Sequence, residues 1–194
     1  MSNIQKISLV YTLLILRNLK TVEEVLKKNK DFEDITVKDR DVILKELMFY
    51  YFYICDRFFS EWYEEEKDKI MSRILDRIGK SFDEIKDEDI EKAQLNLSHA
   101  SFPQFLKALR ESLSDDWLSC WYNERQTYYS RYQFLPKDSK SMQETIDWQF
   151  AKNTAREIGR NDDFIFVSKI MTIGMYFYKD IQKIENHLRE QEVN

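Results

Sequence analysis

The chain has 194 residues, of which 43% are apolar and 34% are charged, and this balance is typical of a folded globular protein. Its formal net charge is −5 with acidic and basic side chains interspersed, which argues against a nucleic-acid-binding face. Only 3 Gly and 2 Pro occur, so a sheet-rich fold with many turns is excluded in favour of long helices. The length fits one domain over residues 1–194.

The N-terminal stretch predicts two helices. Residues 4–18 are mostly apolar, and on a helix their apolar face is wider than a single amphipathic stripe. We therefore expect a helix that is buried on more than one side. Thr21-Val-Glu-Glu24 then has the spacing of a capping box, in which the Thr hydroxyl and the Glu carboxylate satisfy each other's backbone amides. This motif predicts a second, short helix over residues 22–29.

The most aromatic and least polar stretch of the chain is residues 42–59. Thr36-Val-Lys-Asp39 resembles a helix start before it, and the helix should run to Trp62. The middle of this helix is apolar on both faces, so we expect it to lie at the centre of a bundle. Its polar residues flank that middle part, and we expect each end of the helix to have a solvent-exposed (wet) face formed by them: Lys45, Glu46, Asp56 and Arg57.

The rest of the chain continues in helical patterns. Gly79 should end one helix as a left-handed cap, and Ser81-Phe-Asp-Glu84 has capping-box spacing before an acidic, solvated stretch at 83–91. A loop is expected at 96–103. Further helices are predicted over residues 64–79, 105–113, 117–134, 141–159 and 162–188. The fold class we predict is all-α, a single-domain helical bundle of about seven helices around a central aromatic helix.

Most catalytic and metal-binding motifs are missing from the sequence. His99 and His187 belong to no zinc or di-iron motif, and three glycines cannot form a phosphate-binding loop. Cys55 and Cys120 lack metal-site spacing, and both are expected to be reduced core residues of a cytoplasmic protein. We therefore expect no cofactor, no metal and no catalytic residue.

What remains is charged groups set among aromatic side chains, which must be paired when they are buried. We expect structural ion pairs that join Asp56 or Arg57 to Glu124, Arg125 or Arg131. The alternative is an aromatic pocket between the helices at 42–62 and 117–134 that binds a small ligand or peptide. Its candidate binding residues are Asp56, Arg57, Trp121, Glu124, Arg125, Tyr128 and Tyr132.

The functional expectation follows from these exclusions. We expect a non-enzymatic, cytoplasmic helical protein that acts as an interaction or adaptor module. Its partner would be another protein or a second copy of the chain in a homodimer, and neither nucleic acid nor a membrane is expected. Neither apolar stretch supplies the ~20 residues that a membrane-spanning helix needs. The alternative function is the small-ligand or peptide binder described above.

Overall fold

The computed structural model describes residues 2–84, 105, 109–111, 113, 115–133 and 141–192, with the side chains of 82–84, 141 and 187–192 excepted. These residues form two compact units, 1–126 and 127–194. The described part of the chain is helical and contains no β-strand beyond one isolated bridge between Gln133 and Thr145. The predicted all-α class is therefore confirmed, whereas a single domain over 1–194 stays a prediction.

The first unit is built on three long helices, α1 (Asn3–Lys28), α2 (Val37–Trp62) and α3 (Lys67–Glu84), which pack on one another. A 3₁₀ turn, Lys30–Phe32, lies between the first two helices. After the undescribed residues come α4 (Trp117–Cys120) and a π-helical turn (Trp121–Arg125). A short helix, α5 (Gln126–Tyr129), begins at the last residue of this unit.

The second unit contains a 3₁₀ turn (Ser141–Glu144), α6 (Ile146–Glu157) and α7 (Phe164–Glu192). The last two helices pack against each other, and Gly159 between them has a φ of 74°. A left-handed residue just past the end of a helix is the ordinary position for Gly, because other residues pay a steric cost there. The predicted end of α6 at Gly159 is thus confirmed.

Helix α2 is the central aromatic helix that the sequence predicts. Its Thr36 cap is closed on both sides: the Asp39 amide donates to the Thr36 hydroxyl at 3.1 Å, and the Thr36 amide donates back to the Asp39 carboxylate at 2.9 Å. Residues 46–56 are buried on every side of the helix. Aromatic rings from other elements pack against it. The centroid of the Tyr11 ring, for example, lies 4.7 Å from that of Phe59.

The predicted break in the first helix is wrong. Helix α1 runs unbroken through Thr21, whose hydroxyl donates to the Arg17 carbonyl at 3.0 Å instead of capping a new helix. Glu23 is held by Lys20 and Lys27 of the same helix. A capping pattern alone therefore does not create a helix end.

The predicted end of α3 at Gly79 is also wrong, because the helix continues to Glu84. The Ser81 hydroxyl donates to the Arg77 carbonyl at 2.6 Å, as it does inside a helix, so Ser81 caps nothing. The expected acidic face at 83–91 and the loop at 96–103 lie almost wholly outside the described residues.

Two other helix starts are shifted. The helix expected over 141–159 starts later: residues 141–144 form a 3₁₀ turn, and α6 begins at Ile146 behind Thr145, whose hydroxyl accepts from the Trp148 amide at 3.3 Å. Helix α7, expected from residue 162, begins at Phe164 and is capped by Asp163, which accepts from the Phe166 amide at 2.9 Å.

The helix expected over 117–134 ends at Tyr129 and contains the π-helical turn. A π turn takes up more residues than an α turn, so the helical phase shifts. Past this turn Tyr129 is fully buried and Tyr128 is only partly buried. Within the described residues, no helix is long and apolar enough to cross a membrane.

Candidate functional site

The C-terminal end of α2 carries a buried carboxylate. Asp56 is only 8% exposed, and its Oδ2 lies 3.1 Å from Nζ of Lys67. Helix α2 ends at Trp62, and the short turn that follows places Lys67 as the first residue of α3. The Asp56 carboxylate is therefore in an ion pair, as expected, but its partner is Lys67 of α3. Arg57 next to it is exposed to solvent.

A partly open pocket of about 190 Å³ lies beside this ion pair. Its walls come from the end of α2, from α3 and from the π-helical turn with the residue after it. Two of the predicted binding residues, Asp56 and Trp121, line it. The complete lining is Asp56, Lys67, Asp68, Met71, Leu75, Trp121, Tyr122 and Gln126. Helix α3, which the sequence did not associate with the site, supplies half of these side chains.

The pocket has an excess of negative charge, because it holds two carboxylates and one ammonium group. Burial raises the pKa of Tyr122, and the nearby Asp56 and Asp68 carboxylates raise it further. The two carboxylates outnumber the Lys67 ammonium group, so this pocket favours a cation over an anion. Organic cations bind over the faces of Trp and Tyr rings, and of the two rings here Tyr122 is the accessible one, at 48% exposed against 1% for Trp121.

A second buried ion pair lies in the middle of the same unit. Glu46 of α2 is fully buried, and its Oε1 accepts from Nη2 of Arg125 at 2.6 Å. The expectation that Glu46 belongs to a wet end of α2 is wrong. Arg125 pairs with this residue rather than with Asp56, and nearby Trp121 stacks on Phe49 with centroids 6.3 Å apart.

Glu124 lies on the far side of the π-helical turn from Trp121. Its Oε2 is 3.6 Å from Sγ of Cys120, within hydrogen-bonding distance for a thiol donor. Burial, and then the Glu124 carboxylate, raise the pKa of the Cys120 thiol. The thiol is therefore held in its protonated, weakly nucleophilic form. Cys55 is buried as expected, whereas Cys120 is only partly buried.

Tyr128 and Tyr132 belong to the second unit. Their rings make an edge-to-face contact with centroids 5.2 Å apart, and the Tyr128 hydroxyl donates to the Gln149 side chain at 3.3 Å. The seven predicted residues are therefore distributed over several environments. Asp56 and Trp121 line the pocket, Arg57 is exposed, Arg125 is in an ion pair, and Glu124 faces the Cys120 thiol.

The second unit also shows a surface that the sequence did not single out. Helix α7 buries one face through Val167, Ile170, Phe177 and Ile181, as predicted. On the opposite side, every exposed position between Phe164 and Tyr176 is uncharged. We name this the α7 face: Phe164, Ile165, Ser168, Thr172, Met175 and Tyr176. Ile165 is 71% exposed and Tyr176 57% exposed.

In the described part of the chain, no group of three or more His, Cys, Asp or Glu side chains is arranged to hold a metal ion. Neither a protein-family model, nor a curated protein, nor a solved structure matches this chain, so its function has to be inferred from its own residues.

Proposed function

We propose that the protein is an interaction module that binds a partner protein through the α7 face. The observation that supports this proposal is the run of exposed, uncharged positions from Phe164 to Tyr176 on one side of a single helix. The outer face of a surface helix normally carries charged residues. Scattered apolar residues on a surface are ordinary, but a contiguous group is typical of an interaction site.

The helix that carries the α7 face is well packed on its other side. The opposite side of the helix is anchored by buried Val167, Ile170 and Phe177, so the exposed side chains are presented on a rigid element. The Phe164 ring stacks on Trp148 of α6 with centroids 6.4 Å apart. A rigid surface loses less conformational entropy on binding than a loop does, which favours association.

A cytoplasmic location belongs to the same proposal. Cys55 and Cys120 are both free thiols, which is the usual state of cysteines in a reducing compartment. The raised pKa of the Cys120 thiol keeps it unreactive there.

Site-specific photo-crosslinking tests the interaction proposal. A photoreactive phenylalanine analogue replaces Tyr176, and in a matched variant it replaces Val37, which is slightly more exposed at 63% and lies at the start of α2. We expect a discrete protein adduct from position 176 and none from position 37. A further Ile165→Glu substitution should abolish the adduct. Equal labelling from both positions, or no adduct with any protein including a second copy, would contradict the proposal.

A second candidate function is binding of a small organic cation in the pocket beside Asp56. The supporting observation is that one pocket combines two carboxylates with the Trp121 and Tyr122 rings. Its volume of about 190 Å³ is below the roughly 300 Å³ at which pockets for drug-sized ligands begin. The ligand class is therefore a compact amine or quaternary ammonium group, held by charge and by the aromatic faces.

A further inference from the structure

We propose that the partner of the α7 face is the same face of a second copy of this chain, packed antiparallel about a two-fold axis. This inference rests on the proposed function, since it names the partner of that surface. A two-fold interface must be self-complementary: if residue i contacts residue j, then j contacts i. The α7 face has this property when the axis passes close to position 170.

The side chains on the two halves of the face match in pairs. With the axis near position 170, Ser168 of one copy lies opposite Thr172 of the other. Ile165 then lies opposite Met175, and Phe164 lies opposite Tyr176. Small side chains therefore meet at the crossing point, where helix backbones approach most closely, and large apolar ones meet on both sides of it. Interaxial distances between packed helices depend on such contact side chains.

The Thr172 hydroxyl at the centre of the face can be buried without losing its hydrogen-bond acceptor. The Thr172 hydroxyl donates to the Ser168 carbonyl of its own helix at 2.9 Å. Its hydrogen is therefore already used, and its methyl group is available for contact. A buried donor without an acceptor disfavours association, so this internal bond removes one barrier to it.

Charges at the two ends of the face are complementary in the antiparallel arrangement. Asp162 lies just before Phe164, and Lys179 lies just after Tyr176; both are exposed. Lys179 is about 13–14 Å from position 170 along the helix, at roughly 1.5 Å per residue. Asp162 lies in the turn that precedes α7. Lys179 Nζ lies 5.6 Å from the Tyr176 ring centroid, which keeps the ammonium at the edge of the face. The two-fold axis makes each Asp162–Lys179 pairing occur twice.

Sedimentation velocity of the purified full chain over a range of concentrations tests the proposal, and we expect a reversible dimer whose fraction rises with concentration. Thr172→Lys places two like charges beside the axis and should abolish the dimer. Lys179→Glu or Asp162→Lys alone turns two attractions into repulsions and should raise the dimer Kd about tenfold, since each exposed ion pair contributes only modestly. The double reversal, Asp162→Lys with Lys179→Glu, should return the Kd to near the wild-type value.

The matched control is Lys69→Glu, an equally exposed charge reversal on α3, which should leave the Kd unchanged. A chain that stays monomeric at all concentrations, or single reversals whose effects add without rescue, would overturn the proposal. A monomer that still gives a Tyr176 crosslink to a different protein would overturn only this inference and leave the interaction function standing. The charge-reversal variants keep α7 intact, and circular dichroism checks that they are folded.

Discussion

Arg125 reaches across 79 positions of sequence to donate a 2.6 Å hydrogen bond to Glu46, whose side chain is wholly buried in the most aromatic helix of the protein. A carboxylate in this position is costly to leave without its partner, because its desolvation is no longer offset. The pair therefore connects the π-helical turn to the middle of α2.

Arg125→Ala should lower the free energy of unfolding by about 3 kcal/mol, because it leaves the buried Glu46 carboxylate without this partner. Chemical denaturation followed by far-UV circular dichroism measures the loss. The matched control is Lys28→Ala, which removes a pair between Lys28, with 76% of its side chain exposed, and Glu24. That change should stay within about 0.5 kcal/mol. Equal effects of the two substitutions would contradict a special role for the buried pair.

Gly79 and Gly159 should respond to alanine in opposite directions. Gly79 lies inside α3, and an added Cβ would come no closer than 3.9 Å to Trp117, an ordinary contact. Gly79→Ala should therefore raise stability by about 0.5–1 kcal/mol through helix propensity. Gly159 has open space but a φ of +74°, so Gly159→Ala should lower stability by about 1 kcal/mol. Thermal unfolding of both variants measures the contrast; a stabilising Gly159→Ala would sink this interpretation.

Stability should depend on pH through Glu23. Burial raises the pKa of this carboxyl, but hydrogen bonds from Lys20 and Lys27 outweigh burial and hold the pKa below its ordinary value of 4.5. A carboxyl whose pKa is lowered on folding stabilises the fold above its unfolded pKa. That stability is lost as the pH falls through the folded pKa. Glu23→Gln should thus be less stable than the wild type at neutral pH, and the difference should shrink as the pH falls below 4.5.

Urea denaturation at a series of pH values measures this convergence. The neighbouring Glu24→Gln serves as the control, because the Glu24 side chain is 40% exposed and its pairs with Lys20 and Lys28 are screened by solvent. A Glu23→Gln deficit that persists unchanged into acid would show that the lost stability does not come from the ionised carboxylate.

The pocket beside Asp56 should bind tetramethylammonium with millimolar affinity. Titration followed by backbone amide resonances should shift signals of Trp121 and Tyr122 selectively. Asp68→Asn should weaken binding several-fold, because it removes a carboxylate without breaking the Asp56–Lys67 pair. Asp76→Asn, on the exposed side of α3 where Asp76 pairs with Lys80, should have no effect. If sodium chloride produced equal resonance shifts, the effect would be one of ionic strength and the prediction would be wrong.

The fold class and α2 could be predicted because their signals are local and strong. The scarcity of Gly and Pro favours helices, and the Thr36–Asp39 motif together with an apolar run fixes both ends of α2. The helix break that was wrongly predicted at Thr21 shows the limit of a local motif. A capping box forms only where the backbone also leaves the direction of the preceding helix. Nothing in the local sequence around Thr21 distinguishes the two cases.

The ion pairs were harder to assign, because they depend on which helices meet. Lys67 is the partner of Asp56 only because the turn after α2 is short, and Glu46 is buried only because Arg125 returns from a distant segment. The α7 face did have a sequence signal. Once the buried residues Val167, Ile170 and Phe177 are placed inward, the outward positions up to Tyr176 contain a single charge, the partly buried Lys169.

The internal hydrogen bond of Thr172 to Ser168 has a thermodynamic consequence for any partner of the α7 face. Because the Thr172 hydroxyl already has an acceptor, its burial needs no new polar partner, and association there removes mainly apolar area from water. Its calorimetric signature should be a negative heat-capacity change. Added salt should weaken only the electrostatic contribution of the charged ends to binding, because the middle of the face carries no charge that salt could screen.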